Sequence, residues 1–301
     1  MSDPITTAFV QQYTSNVAFL LQQMGSRFRG LVMEGAHVGK AAVVVEQFGS
    51  TAAQKKISRH SDTPLIQVPQ DRRWVYPTDY EWADLIDDQD KLRLLIDPTS
   101  PLAQAGAMAL GRSIDDEIVG AFFGTAYTGE SGGTAVTFPS AQDVAATVGG
   151  TSGNVGLNVD KLRSARRLLR KAEVDLDNEQ AHCMIDAEKE NDLLNQAQII
   201  NADYNARPVL TDGKLASYLG FDFHHSERIP GGDTSLASPS ITSGHDIPVW
   251  VSSGMHLGMW NDINGRIDPR ADKSYSTQVY AKGTFGATRV EEKRVVRIKC
   301  A

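Results

Sequence analysis

One stretch of the sequence, residues 97–124, constrains the fold more than any other: DPTSPLAQAGAMALGRSIDDEIVGAFFG. Apolar residues recur in it at steps of three or four, which is the spacing of one face of an α-helix. The residues at these steps are Ala103, Ala107, Leu110, Ile114, Ile118 and Ala121. Ser100 is a favourable N-cap, Pro101 suits the first helical position, and Gly124 suits a left-handed C-cap. The pattern therefore predicts a helix over 101–123, about 35 Å long, which suits the backbone of a flat, extended subunit.

The interior of this predicted helix carries two further signals. Three glycines lie within it: Gly106, Gly111 and Gly120. Each glycine costs about 1 kcal/mol relative to alanine, so the three together predict that other backbone segments pass close to the helix. Asp116 falls on the face opposite the apolar stripe, with Asp115 and Glu117 to either side of it. These carboxylates predict a polar face.

Composition places the chain among folded proteins without a membrane span. Of its 301 residues, 41% are hydrophobic and 22% are charged, which is ordinary for a soluble protein with a sizeable core. No run of 18 apolar residues is present, and the first residues lack the basic and apolar regions of a secretion signal. Two cysteines, Cys183 and Cys300, argue against a disulfide framework and fit a reducing cytoplasm. The net charge of −7 argues against a dedicated nucleic-acid binder.

Two β-rich stretches enclose a long polar one. Residues 40–48, KAAVVVEQF, are rich in β-branched residues and predict a strand, and residues 74–86 begin with alternating aromatic residues like a returning strand. The polar stretch between them, residues 49–73, is too long for an ordinary loop inside a compact domain. We therefore expect a two-stranded ribbon that projects from the body. Because an isolated ribbon is only marginally stable in water, it needs a partner surface, for which another copy of the chain is expected.

The remaining stretches predict a mixture of helices and strands. An apolar stripe at helical spacing begins the chain, and either the protein's own core or a neighbouring subunit must cover it. Its members are Ile5, Phe9, Tyr13, Val17, Leu20 and Leu21. Further helices are predicted at 84–97, 159–172 and 188–200. Strands are predicted at 181–187, at 218–224, at the start of 245–260, within 276–300 and, as short strands among loops, within 125–156.

No motif in the sequence supports an active site. The GESGG motif at 129–133 is similar to the nucleophile motif of trypsin-like proteases, and AHC at 181–183 is similar to their histidine motif. Because the acid is glutamate and the histidine follows the serine, a glycine-rich loop is the better interpretation. The histidines are scattered without the spacing of metal ligands: His37, His60, His182, His224, His225, His245 and His256. We expect no cofactor, no metal and no enzymatic activity.

In their shared order, these features resemble the major capsid proteins of tailed bacteriophages, which have the HK97-type fold. The first residues resemble the family's N-arm, and GKAAVVVEQFGSTAAQKK followed by WVYPTDYEW resembles its extended E-loop. The stretch at 97–124 resembles the spine helix of the peripheral domain, and YAKGTFGATRVEEKRVVRI resembles the strand that returns to that domain. Three segments resemble those of short-tailed, T7-like members: DKLRSARRLLRKAEV, DLLNQAQIINADY and GKLASYLGFDFHHSERIP.

The resemblance implies an α+β fold of the HK97 type. Its parts are an N-terminal arm over 1–38, an E-loop ribbon with flanking strands over 39–83, a peripheral domain over 84–154 and 271–301 with the spine helix at 101–123, and an axial domain over 155–270. It also implies that apolar residues of the arm and E-loop contact neighbouring subunits: Phe9, Tyr13, Leu20, Trp74 and Tyr76. Lys55 and Lys56 lie in the predicted E-loop, where some relatives form covalent cross-links, although nothing in the sequence shows that they do so here.

The function implied by the resemblance is structural: copies of the chain assemble into the icosahedral shell that encloses the double-stranded DNA genome of a phage. The implied partners are further copies in hexamers and pentamers, a scaffolding protein, a portal protein, nonspecifically bound DNA and, where one is present, a decoration or cement protein. No membrane partner is expected. The expected location is the virion, with assembly in the host cytoplasm. Because no long charged segment precedes the arm, we expect a separate scaffolding protein and no large proteolytic removal.

Two alternatives stay open at the level of sequence. A shell protein of the same fold would form an encapsulin-like nanocompartment around protein cargo, although the T7-like pattern and the long E-loop favour the capsid. The other alternative is an enzyme, for which a hydrolase that uses Ser131 is the example. The contents of purified particles distinguish the first alternative from the capsid.

Overall fold

A computed structural model describes residues 23–59, 62–63, 65–86, 99–150, 153–196, 199, 215–229 and 245–300. The chain divides into two units. The first comprises the described residues of Met1–Ser26, Asp79–Ser113 and Asn261–Gly283. The second comprises those of Arg27–Thr78, Ile114–Trp260 and Thr284–Ala301.

Helices and strands are mixed along the described chain. The helices are α1 (Thr99–Phe123), α2 (Val159–Lys171) and α3 (Ala187–Leu194). The strands are β1 (Met33–Ala36), β2 (Ala42–Phe48), β3 (Gln70–Val75), β4 (Thr78–Ile86), β5 (Ala126–Thr128), β6 (Thr134–Val136), β7 (Asp143–Val144), β8 (Ala181–Ile185), β9 (Ser217–Tyr218), β10 (Phe221–His225), β11 (His245–Val251), β12 (Met255–Pro269), β13 (Thr277–Arg289) and β14 (Val295–Cys300). The predicted α+β class is confirmed.

The largest described sheet forms the main hydrophobic core. Its strand order is β7-β14-β11-β8-β10-β9, and every residue of its strand β8 is buried, as the apolar run there predicts. Helix α2 covers this core with Leu162, Ala165 and Leu169, while its arginines lie on the other faces. The Asn158 side chain caps the helix by accepting a hydrogen bond from the Lys161 amide at 2.9 Å. The helix predicted over 159–172 is therefore confirmed.

The two strands that were predicted to flank the polar stretch pair with each other, and that they project from the body as a ribbon stays a prediction. Strands β2 and β3 pair antiparallel, from Ala42 opposite Val75 to Phe48 opposite Gln70. The sheet order is β2-β3-β5-β6, so the short strands predicted after the long helix hold the root of the ribbon. Described residues between positions 51 and 69 carry no helix or strand. A third sheet has the order β1-β12-β13-β4, in which β1 runs parallel to β12.

Helix α1 is the long helix that the sequence predicts, but its buried face differs from the predicted apolar stripe. Leu110, Ile114 and Ile118 are buried as expected, whereas Ala107 is exposed. In the last turns the buried line continues through Val119 and Phe122. Residues beside the predicted stripe are therefore also buried.

Two of the three glycines of α1 are close to other parts of the chain, as predicted. A side chain at Gly111 would lie 2.8 Å from the Gly25 Cα atom, so backbone does pass there. A side chain at Gly106 would contact the Trp82 ring at 3.0 Å or less. For Gly120, no described residue lies within 4 Å of where a side-chain carbon would be, so the described residues do not bear out the prediction at that position.

The C-terminal end of α1 differs from the expected left-handed glycine cap. The Gly124 amide donates to the Gly120 carbonyl at 3.0 Å, which continues the helical pattern, and Gly124 has no positive φ. The fully buried Arg289 takes the role of the cap instead. Its guanidinium donates to the carbonyls of Ala121, Phe122, Gly124 and Val136. A cation at this end also complements the partial negative charge of the helix terminus.

Other element predictions need correction. Residues 84–86 belong to strand β4, so the acidic helix predicted over 84–97 is wrong there, and the rest of it lies outside the described residues. The helix predicted over 188–200 is the shorter α3. The strand predicted over 218–224 is divided, because Leu219 and Gly220 adopt positive φ angles of 53° and 77° and form a turn. The apolar stripe at residues 5–21 lies outside the described residues.

We expect Arg289→Met to lower the free energy of unfolding by about 2–4 kcal/mol, because several buried carbonyls lose a charged donor. Burial lowers the pKa of Arg289 to about 10, so the wild-type side chain remains charged at neutral pH. The matched control is Arg163→Met, whose exposed side chain pairs with exposed Asp160 and should change stability by less than about 0.5 kcal/mol. Urea unfolding of the full chain measures both variants. Equal effects of the two substitutions would contradict the capping role.

Candidate assembly surfaces

Large apolar side chains are exposed along the segment that leaves the ribbon. Ile57 is 95% exposed, Leu65 is 89% exposed and Phe48 is 64% exposed. Ile66 and Val68 are also exposed, and the five residues together are called the ribbon surface here. Exposed apolar residues gathered in one segment indicate a surface that binds another protein. The Gly49 amide donates to the Pro69 carbonyl at 2.8 Å and closes the root of this segment.

Lys55 and Lys56 lie within the same exposed segment, close to Ile57. Both residues are exposed in the single chain. Their role in contact with a neighbouring subunit stays a prediction.

Trp74 and Tyr76 both contact a loop of their own chain. The Trp74 indole donates to the Gly129 carbonyl at 2.7 Å, and the Tyr76 hydroxyl donates to the Gly132 carbonyl at 3.0 Å. The Tyr76 ring also meets the Tyr127 ring edge-on, with centroids 5.4 Å apart. Tyr76 stays 40% exposed, so part of its ring is free to meet a neighbour. The intersubunit role of both aromatic residues stays a prediction, and Phe9, Tyr13 and Leu20 lie outside the described residues.

The GESGG motif is this loop, as the glycine-rich interpretation predicts. Gly129 and Gly132 have φ angles of 91° and 73°, which a side chain would strain. The Gly129 amide donates to the Asp71 carboxylate at 2.9 Å, and this bond is the main reason why the pKa of Asp71 is lowered. Among the described hydrogen bonds, none joins Ser131 to a histidine. The motif therefore fastens the base of the ribbon to strands β5 and β6.

Asp115 anchors the segment that leads from the predicted arm into the body. It is fully buried, and its carboxylate accepts hydrogen bonds from the amides of Arg27 at 2.9 Å and Phe28 at 3.2 Å. The expectation that Asp115 flanks a polar face is therefore wrong. Asp116 forms a bidentate ion pair with Arg228, with Nε–Oδ1 at 2.6 Å. The sequence alone contained no signal for either partner, because 87 to 112 residues separate them from the helix.

Trp250 of β11 lies at the centre of an aromatic cluster beside this segment. Its side chain is fully buried, and its indole donates to the Leu31 carbonyl at 3.1 Å. Its ring contacts those of Phe28, Phe122 and His182, with centroid separations of 6.1, 4.6 and 5.6 Å. One side chain thus connects helix α1, strand β8 and residues 28–31.

Four of the seven histidines meet in two pairs. His37 and His256 meet through their Nε2 atoms at 2.8 Å, across the parallel strands β1 and β12. His182 Nδ1 lies 3.1 Å from His224 Nε2, across the parallel strands β8 and β10. Among the described residues, no three histidine, cysteine, aspartate or glutamate side chains converge as a metal ion requires. Within the same residues, no helix has the length and apolarity needed to cross a bilayer.

One of these pairs continues to a serine. His182 Nε2 lies 3.1 Å from the Ser252 hydroxyl, which completes a Ser–His–His chain. Burial, with a smaller contribution from His224, lowers the pKa of His182 to about 4, so its ring is neutral at pH 7. A nucleophile also needs oxyanion donors and room for a substrate. Because the two histidine rings pack against Trp250, we interpret the contacts among Ser252, His182 and His224 as a hydrogen-bond network that satisfies buried ring nitrogens.

One family model matches almost the whole chain. The family model described as phage capsid protein matches residues 5–301 of the chain. No curated protein matches the sequence.

Solved capsid structures share the fold over the whole chain. The capsid chain of cyanophage P-SCSP1u matches with a TM-score of 0.74 at 13% identity, covering 100% of this chain and 95% of that one. That of cyanophage Pam1 matches with a TM-score of 0.72 at 15% identity, covering 100% and 99%. A chain of Mycobacterium phage Che8 matches with a TM-score of 0.68 at 15% identity, covering 96% and 97%. The predicted HK97-like fold is confirmed.

Gly132→Ala should lower the free energy of unfolding by about 2–4 kcal/mol, through a strained positive φ and a clash. The added carbon would lie 3.0 Å from the Trp74 ring and still closer to the Tyr76 hydroxyl. Gly153→Ala is the matched control, because Gly153 also has a positive φ, of 83°, but has open space around it. That control should cost only about 1–2 kcal/mol. Thermal or urea unfolding measures both, and a loss no larger for Gly132→Ala would show that the loop is not packed on the ribbon.

Proposed function

The chain belongs to the phage capsid protein family, and on this premise we propose that many copies of it form the icosahedral shell around the double-stranded DNA genome of a phage. Hexamers and pentamers of the chain would tile the shell. The observation that carries this proposal is the ribbon surface, where Ile57 and Leu65 are left almost entirely in water. A second copy that covers these side chains removes the free-energy cost of exposing them to water.

The proposed division of labour follows the four parts expected from the family. The arm over 1–38 and the E-loop over 39–83 reach neighbouring subunits, and the peripheral domain over 84–154 and 271–301 forms the rigid plate of each tile. The axial domain over 155–270 meets its copies around the local symmetry axes. The paired strands support this division, because they fix the base of the ribbon while the described residues between 51 and 69 carry no helix or strand.

The contacts of such a shell are individually moderate. Burying Ile57 and Leu65 against a neighbour contributes about 1.5–3 kcal/mol for each side chain. Each subunit would make this contact once as donor and once as acceptor, so the closed shell gains from many linked contacts. Single misplaced subunits can therefore dissociate, while the completed shell persists. This combination suits assembly that must correct its own errors.

The proposed partners are a scaffolding protein, a portal protein, the packaged DNA and, where one is present, a decoration or cement protein. Assembly takes place in the host cytoplasm, and the product is the virion. The net charge of −7 supports a weak, nonspecific contact with DNA that avoids adhesion to the phosphate backbone. No catalytic step belongs to this function. No observation on the described residues favours the encapsulin-like alternative.

The double substitution Ile57→Ser and Leu65→Ser should raise the subunit concentration needed for assembly at least tenfold, which corresponds to about 1.4 kcal/mol. The folded subunit should keep its stability, because both side chains lie in water in the single chain. Gln54→Ser with Gln67→Ser is the matched control, since both glutamines are exposed in the same segment. Sedimentation and negative-stain microscopy count particles after co-expression with the phage's assembly proteins. Normal particles from the apolar variant would contradict the role of the ribbon surface.

The contents of the particles distinguish the capsid from a protein-filled compartment. Particles purified after nuclease treatment should contain protected double-stranded DNA and a portal at one vertex. Absorbance at 260 and 280 nm, gel analysis of the extracted nucleic acid and microscopy of the vertices measure this. Particles filled with a single enzyme cargo, and without DNA or portal, would overturn the proposal.

A further inference from the structure

Residues 27–37, the last part of the predicted arm, form a strap in the second unit, and contacts at several positions hold it. The Asp115 carboxylate holds its first two amides, and Trp250 holds the Leu31 carbonyl. The His37 amide donates to the Met259 carbonyl at 2.9 Å, which extends the pairing of β1 with β12. The last contact is between the His37 and His256 rings.

The two strands are shaped around this histidine pair. Gly35 lies opposite Gly258 in the register of β1 and β12. A side chain at Gly35 would lie 2.7 Å from the His256 ring, and one at Gly258 would lie 2.8 Å from the His37 ring. Each glycine therefore makes room for the ring that the other strand supplies. The His37 ring also packs on Trp260, with centroids 5.3 Å apart.

A direct bond between two imidazole rings tolerates only limited protonation. One ring nitrogen must donate and the other must accept, so the pair can hold no proton on the accepting nitrogen. When both rings are cationic, two like charges face each other at 2.8 Å with His256 buried. In this state the hydrogen bond is lost and the two charges repel each other.

We propose that the strap is an acid-sensitive clasp, released from strand β12 when the His37–His256 pair takes up protons below neutral pH. Release would free the root of the N-terminal arm while the six-stranded sheet stays folded. The proposal concerns the single chain and does not depend on what the assembled shell encloses.

The direction of the pH effect follows from linkage. Burial, with a smaller contribution from His37, lowers the pKa of His256 to about 4, and burial also lowers the pKa of His37. The released strap exposes both rings, whose pKa then returns to about 6.5. Released chains therefore bind more protons than clasped chains in this range. The clasp is at full strength above pH 6.5 and weakens as the pH falls from 6.5 toward 4.

Other charged groups face the strap and its surroundings. Within the strap, Arg29 pairs with Glu34, whose side chain lies on the face of β1 opposite Gly35 and His37. The Asp115 carboxylate of helix α1 accepts hydrogen bonds from the strap amides. Within the strap, the Arg27 guanidinium donates to the His225 carbonyl at 2.6 Å.

A second pair lies beside the Trp250 anchor. His182 and His224 both stack near that ring, where Asp222 partly offsets the lowering of their pKa by burial. Protonation there would disturb the side chain that holds Leu31, so it acts in the same direction as the first pair.

Hydrogen exchange of the full chain, read by mass spectrometry and corrected for the intrinsic pH dependence of exchange, tests the clasp. Between pH 6.5 and 5 the protection factor of the strap peptide should fall by about tenfold for the uptake of one proton and by about a hundredfold for two. The peptide of helix α2 is the internal control and should keep its protection. Unchanged strap protection from pH 7 to 5, or a parallel loss in α2, would overturn the proposal.

Variants assign the effect to the pair. His37→Gln should leave at most a tenfold change between pH 6.5 and 5, and the double variant with His256→Gln should leave only the smaller change that the His182–His224 pair contributes. If the double variant fails to fold, His37→Gln alone decides, because His37 lies nearer the surface. His225→Gln is the matched control, whose exposed side chain pairs with Glu227, and it should keep the wild-type pH profile. A wild-type pH profile of strap protection in His37→Gln would contradict the proposal.

Discussion

Buried charges that satisfy backbone groups hold this fold together. Asp115 accepts amide protons from the strap, and Arg289 donates to the carbonyls at the end of helix α1. A buried charge is costly unless it is hydrogen-bonded, and a buried backbone group without a partner is costly as well. Each of these hydrogen bonds joins a buried charge to a buried backbone group and so removes both costs. Hydrogen bonds with a charged partner are also stronger than those between neutral groups. Helix α1 is consequently fixed near its middle and at its end by segments that lie far away in sequence.

The same arrangement separates a rigid body from the parts available to neighbours. The six-stranded sheet and α2 enclose an apolar core, whereas the segment beyond strand β2 has its large apolar residues in water. The GESGG loop connects the two by binding Trp74 and Tyr76 at the root of the ribbon. A subunit built in this way presents a fixed base and an adaptable extension. Such a subunit can meet slightly different neighbours in a shell without changing its core.

Predictions from the sequence succeeded where the signal is local. The apolar spacing of residues 101–123, the β-branched run at 42–48 and the buried run at 181–185 all gave the observed elements, because each pattern repeats within a few residues. The contacts between side chains from distant parts of the sequence were not predictable in this way. His37 and His256 are 219 residues apart, and only the parallel pairing of β1 with β12 brings them together. The αL cap expected at Gly124 failed for the same reason, since Arg289 approaches from strand β13.

By itself, the sequence determined helices α1 and α2, the core strands and the paired strands β2 and β3, since periodicity and composition act over short distances along the chain. The tertiary structure decided which polar groups meet. It placed Asp115 inside rather than on a polar face, gave Trp74 a partner in its own chain and joined the histidines in pairs. These outcomes depend on strand order and register, because a contact between distant residues exists only after the sheets have formed.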